Sequence, residues 1–224
     1  MRGGKLPEPT TGHVVLLGDS IFDNKAYVGG GPDVVNQLRG ELPPTWQAAL
    51  LAIDGDVISG VPRQLRSLPR GATHLVVSAG GNDALGFAYL LQSPASSVAE
   101  VLRWFGDAQD RFATDYEAMA EAVAATGLPA AVCTIYDTPA SGPDYRIIRT
   151  AAAFFNDCIT RAAFARGLSL IDLRLICNQD GDYANAIEPS AQGGAKIARA
   201  IAAVVVELRQ GSTASAVIAR HPAW

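Results

Sequence analysis

Apolar residues in this chain gather in short runs set off by turn residues, over 14–17, 48–53, 75–77, 130–136 and 168–172. Runs of that length bounded by Gly, Asp, Asn and Pro read as β-strands. They are continuous rather than alternating, the pattern of strands buried on both faces in a parallel sheet. Between them the spacing changes to three and four. Over 96–125, Val98, Val101, Leu102, Phe105, Phe112, Met119 and Val123 form the stripe of an amphipathic helix and are expected to pack in the core. A second helix over 146–165 presents Ile147, Ala151, Phe154, Phe155, Cys158, Ile159 and Ala162 on one face. A third runs over 190–209, opened by the capping chemistry of Pro189-Ser190, and a short one over 33–40 is bounded by Pro32 and Gly40.

Strand and helix alternate along the whole length. The expected fold class is therefore α/β, a three-layer α/β/α sandwich around a central five-stranded parallel sheet. A single domain over 13–210 accounts for the pattern, with tails at 1–12 and 211–224 and no internal repeat or linker.

Composition narrows the function classes. With 224 residues, 49% of them hydrophobic, the chain can bury one sizeable core. A net charge of -4 and the lack of a Lys/Arg cluster exclude the basic footprint that nucleic acid requires. The cysteines Cys133, Cys158 and Cys177 are odd in number and lack a CxxC pair, so they suggest neither a disulfide framework nor a zinc site. No metal-ligand spacing and no cofactor motif appears, and Gly29-Gly30-Gly31 lacks the preceding strand that a phosphate loop needs. Residues 1–12 lack the apolar stretch of a signal peptide, and no run approaches the ~18 residues of a membrane span, so a cytoplasmic location is expected.

In an open parallel sheet, ligands collect outside the carboxyl ends of the strands. Three of those ends carry chemistry. Gly18-Asp19-Ser20-Ile21 follows the first strand, Asp54-Gly55 the second, and Gly80-Gly81-Asn82-Asp83 the third. A hydroxyl nucleophile at Ser20 would then share one rim with the Gly55 N–H and the Asn82 amide, donors suited to an oxyanion. His13 and His74 precede their strands, at the opposite edge, and His221 sits near the C-terminus.

In this order, each after a strand, these motifs resemble the SGNH, or GDSL, hydrolase family. The resemblance runs from Val14 to about Ile201 and includes Glu188-Pro189-Ser190 with Gly193-Gly194. It implies a flavodoxin-like sheet, Ser20 as nucleophile, and the Ser20 N–H, Gly55 N–H and Asn82 side chain as oxyanion donors. The family's Asp-x-x-His, followed by Pro, is replaced here by Asn185-Ala186-Ile187-Glu188 before Pro189. Position alone carries the base role onto Glu188. Asn185 in place of Asp removes a repulsion between carboxylates and offers Glu188 a hydrogen bond. Burial would raise Glu188 from its ordinary pKa of about 4.3 and make it a stronger base.

Glu188 also reads as a carboxylate favoured by the dipole at a helix N-terminus. Asp180, Asp182 and His221 are other candidate bases, Asp19 and Asp83 are expected to hold loops, and Asp23, Asn24 and Tyr27 to line the pocket. The expected activity is hydrolysis of small acyl or O-acetyl esters through an acyl-enzyme on Ser20, with no cofactor and a small-molecule ester as partner. The alternatives are a catalytically silent protein that binds an acyl or carbohydrate ligand, and an acyltransferase.

Overall fold

The apolar runs become parallel strands β1 Gly12–Gly18, β2 Trp46–Leu50, β3 His74–Ser78, β4 Ala130–Cys133 and β5 Ser169–Ile171 in a computed structural model that describes residues 11–208 and 216–218. A two-residue edge strand, β6 Val217–Ile218, extends them by pairing with β5. It falls in the stretch expected to be a tail, and two residues are too few to form a recognisable run. The sheet order is β2-β1-β3-β4-β5-β6, with every pair parallel. The chain steps from β1 to β2 on one side and then to β3 on the other, so a crevice opens at the carboxyl ends of β1 and β3.

Among the described residues seven α-helices accompany the sheet: α1 Val34–Glu41, α2 Val61–Leu65, α3 Gly81–Leu85, α4 Val98–Ala124, α5 Tyr145–Ala165, α6 Leu173–Ile176 and α7 Ala191–Glu207. Successive strand residues point to opposite faces, and β1 shows the result. Val14 and Leu16 pack with Leu38 of α1 and Ile197 and Ile201 of α7, while Val15 and Leu17 pack with Phe112 and Tyr116 of α4 and Ile159 of α5. All four strand residues are fully buried, each worth roughly 1.5–3 kcal/mol of apolar transfer. This is why the run is continuous: both of its faces are covered.

Three local expectations are corrected. The α4 stripe is buried only from Phe105 onward, and Val98 and Leu102 are 76% and 53% exposed. A periodic pattern shows which face is apolar but not where its neighbour ends. The start of α1 is capped by the Asp33 carboxylate, which accepts from the Asn36 N–H at 2.9 Å, and Gly40 lies inside the helix. A side-chain acceptor satisfies an orphan N–H there, which Pro32 cannot do. Finally, β4 ends at Cys133, and the chain from Thr134 to Thr138 peels away to line a cavity.

Candidate active site

Ser20 stands where β1 turns out of the sheet. Gly18 has φ +118, and a Cβ there would overlap the Ser78 carbonyl, so only glycine lets β1 and β3 approach this closely. Asp19 donates its N–H to the Ser78 carbonyl at 3.0 Å. Gln64 of α2 clamps Gly18 from both sides, accepting from its N–H at 2.7 Å and donating to its carbonyl at 2.8 Å. The buried Asp19 carboxylate accepts from the Ile21 N–H at 3.1 Å, which closes the turn around Ser20. Desolvation lifts the Asp19 carboxyl to about 7.

The partner of Ser20 comes from the other end of the chain. The Ser20 hydroxyl donates to Glu188 Oε1 at 3.1 Å, and both residues are buried. Glu188 Oε2 is buried and has no hydrogen-bond partner among the described residues. Burial pushes the Glu188 carboxyl above its ordinary value, and the Ser20 hydrogen bond opposes part of that rise. The loop that carries Glu188 is pinned on both sides. Tyr183 and Pro189 form an antiparallel bridge, the Ala184 N–H donates to the Glu188 carbonyl at 2.8 Å, and Asn24 donates to the Pro189 carbonyl at 3.2 Å.

The Ser190 hydroxyl caps α7, as the Pro189-Ser190 pair implied, accepting from the Gly193 N–H at 3.2 Å. The Glu188 carboxylate makes no hydrogen bond to α7 among the described residues and instead accepts from Ser20. One expected detail differs. Asn185 does not donate to the Glu188 side chain: its Oδ1 accepts from the N–H groups of Ile187 and Glu188, at 2.8 and 2.9 Å. The short Asn side chain satisfies its own turn, and that local bond precedes any reach toward a side chain three residues on.

Asn82, in the single turn of α3, donates one amide N–H to the Asp56 carbonyl at 2.8 Å and lines the same cavity as Ser20 and Glu188. An amide nitrogen carries two hydrogens, so one is left for a ligand. Asp56 in turn accepts from Gln64 at 2.8 Å, which connects the Ser20 turn and Asn82 through one chain of bonds. Gly55 adopts φ +77 in the turn after β2 and is not among the residues lining the cavity. Neither its N–H nor that of Ser20 makes a hydrogen bond among the described residues.

The remaining candidates hold the scaffold. Asp23 accepts from the Asp54 N–H at 3.0 Å, and the Tyr27 hydroxyl donates to the Asp54 carboxylate at 2.9 Å, so these residues brace the β2 turn instead of lining the cavity. Asn24, also expected in the pocket, is fully buried between α1 and the Glu188 loop. Asp83 accepts from the Ile58 N–H at 3.0 Å. Asp180 accepts from the Ala140 N–H at 2.8 Å, and buried Asp182 pairs with Lys196 at 2.7 Å, so both candidate bases are engaged away from the cavity. His74 packs on the Trp46 ring at the start of β3, with ring centroids 5.0 Å apart. His221 lies outside the described residues.

Ser20, Asn82 and Glu188 open into a cavity of about 440 Å³, within the range of small-molecule sites. Its walls come from the segment after α3, which supplies Phe87, Ala88 and Leu91, and from α5, which supplies Ile148, Ala152 and Phe155. The sequence shows an apolar face on this helix without its part in a wall. The stripe already begins at Ile147, in the first turn of α5, and in the structure Ile147 and Ile148 are exposed there. Among the described residues no group of His, Cys, Asp and Glu could hold a metal ion, and no helix is long and apolar enough to cross a membrane.

Comparisons with known proteins agree with this architecture. The extracellular lipase of Streptomyces rimosus superposes with a TM-score of 0.60 at 17% identity, covering 88% of this chain and 100% of the lipase. The acetyl xylan esterase AlAXEase gives 0.66 at 17% identity, covering 86% and 99%. Phospholipase A1 from Streptomyces albidoflavus NA297 gives 0.60 at 18% identity, covering 89% and 100%. At these identities the likeness is one of fold. A comparison with curated protein sequences found no match. Residues 16–196, which contain Ser20, Asn82 and Glu188, match the GDSL-like Lipase/Acylhydrolase family, and the chain belongs to that family.

Proposed function

We propose that this protein is a serine ester hydrolase in which Glu188 is the base for Ser20. The observation that carries the reading is the hydrogen bond from the Ser20 hydroxyl to a buried carboxylate, at 3.1 Å, inside a cavity lined by Asn82. A serine hydroxyl needs a group to take its proton, and among the described residues Glu188 is the side chain that accepts a hydrogen bond from it. Desolvation raises the Glu188 carboxyl above its ordinary value and so strengthens it as a proton acceptor.

The chemistry balances with these groups. Glu188 takes the hydroxyl proton as Ser20 Oγ bonds to the ester carbonyl carbon. The oxyanion that forms accepts from the Asn82 amide and the Ser20 N–H, each such donor typically worth ~10²–10³ in rate. As the carbon–oxygen bond to the alcohol breaks, Glu188 returns the proton to the departing oxygen. Water then attacks the acyl-enzyme, again giving its proton to Glu188, and the proton passes to Ser20 as the acid leaves. An alcohol in place of water would complete acyl transfer by the same steps.

Hydrolysis of a short-chain aryl ester across pH 4–10 by the wild type, Ser20→Ala and Glu188→Gln tests this. The expected result is loss of activity in both variants and an acid limb in the wild type set by a raised carboxyl. Equal rates for the wild type and Ser20→Ala would overturn it in favour of a ligand-binding role.

A further inference from the structure

The geometry points to a substrate preference: the cavity beside Ser20 takes esters of uncharged, medium-length, apolar acyl groups and rejects acyl groups that carry an anion. This rests on the esterase reading and names the substrate class of that same site.

Two observations carry it. The first is shape and lining. The cavity of about 440 Å³ is walled by Phe87, Leu91, Ile135, Ile148, Ala152 and Phe155. At the ~30 Å³ that a water-sized group occupies, it holds about 15 non-hydrogen atoms. That is more than an acetyl group fills and less than a palmitoyl ester needs, and it suits acyl chains of about six to ten carbons. Each methylene buried against such walls favours binding about fourfold. Leu85, Leu91, Ile147 and Ile187 are exposed and line the cavity, so the apolar surface continues to the opening.

The second is charge. Asp19, Asp137, Asp144 and Glu188 line the cavity, while among the described residues no Lys, Arg or His does. Arg149 and Arg174 act on Asp137 from a distance, but neither lines the cavity: Arg174 pairs with Asp172 at 2.6 Å, and Arg149 lies over the Tyr145 ring at 5.2 Å. Asp137 has no hydrogen bond among the described residues, and Glu188 Oε2 is buried and unpartnered. An anion in this cavity would meet these acidic side chains with no cation in the lining among the described residues, whereas a neutral chain can lie along the apolar wall.

The test compares kcat/KM for the p-nitrophenyl esters of acetate, octanoate and palmitate, and for the mono-p-nitrophenyl ester of adipate against that of hexanoate. Octanoate is expected to exceed acetate by more than about 30-fold and palmitate to fall below octanoate. Hexanoate is expected to exceed the adipate monoester by about 100-fold. Ala152→Leu, which fills the α5 wall, should lower the octanoate-to-acetate ratio, and Asp137→Asn should raise adipate relative to hexanoate. Turnover with acetate best, or with adipate equal to hexanoate, overturns the preference and leaves the esterase reading standing. If no ester turns over, the esterase reading fails and the preference is judged by thermal stabilisation alone. Stabilisation by 2-decanone but not by 9-oxodecanoate, the same chain ending in a carboxylate, supports it. Stabilisation by both or by neither overturns it.

Discussion

The Tyr136 hydroxyl donates to the Ile187 carbonyl at 2.8 Å, so the segment leaving β4 grips the residue next to Glu188. Tyr136 is buried, and removing its hydroxyl leaves that carbonyl without its partner. Tyr136→Phe is expected to cost about 1 kcal/mol of stability, read from the urea midpoint. It is also expected to lower kcat/KM several-fold as Glu188 loosens. An unchanged midpoint together with unchanged kinetics would show that the bond does not position the base.

Asn82 offers one amide hydrogen to Asp56 and keeps the other for a ligand. Asn82→Ala should reduce kcat by ~10²–10³ with a smaller effect on KM, because an oxyanion donor acts on the transition state. Asn82→Asp should be at least as slow, since it places negative charge where negative charge develops. A kcat within twofold of wild type for either variant would remove Asn82 from the oxyanion site.

The raised carboxyl of Asp19 makes a stability prediction with a definite sign. Its folded value of about 7 lies above the ordinary carboxylate range, so between about pH 4 and 7 the folded state holds a proton that the unfolded state releases. Stability from this group is therefore present at low pH and lost as pH rises through about 7. Asp19→Asn keeps an oxygen that can accept from the Ile21 N–H and removes the ionisation. It should be more stable than the wild type above pH 7, by up to a few kcal/mol, with the difference vanishing near pH 4. Parallel stability curves for the two proteins over pH 4–8 would contradict this.

Glu188 makes a similar prediction through its unpartnered Oε2. Its raised value means that ionisation is disfavoured in the folded state, so the cost appears as pH rises. Glu188→Gln should be more stable relative to the wild type at pH 8 than at pH 5 while losing activity, the trade expected of a residue kept for chemistry. Thermal or urea denaturation at pH 5 and pH 8 reads it, and a loss of stability at pH 8 would show that the carboxylate is structurally required.

The arrangement of the fold was legible because its cause is local. The run over 14–17 is apolar without alternation, and that pattern has one economical explanation, a strand covered on both faces. The same logic located the serine, since a turn rich in Gly and Asp after such a run falls on the ligand side of the sheet. The first turns of α4, the wall formed by α5 and the edge strand at Val217 were not legible. Each depends on where a neighbouring element begins or ends, which periodicity does not record.

Sequence by itself determined the strands and helices, the edge of the sheet that carries chemistry, and the candidacy of Ser20, Gly55, Asn82 and Glu188. Only the tertiary structure decided that Glu188 meets Ser20 across 168 positions of chain, that Asn185 serves its own turn, and that Gly55 stays outside the cavity lining. The physical reason is range. Backbone preference and amphipathic spacing act over a few residues, whereas the direction of a buried carboxylate is set by what lies beside it after the β1 turn, the Tyr136 segment and the Glu188 loop have packed together.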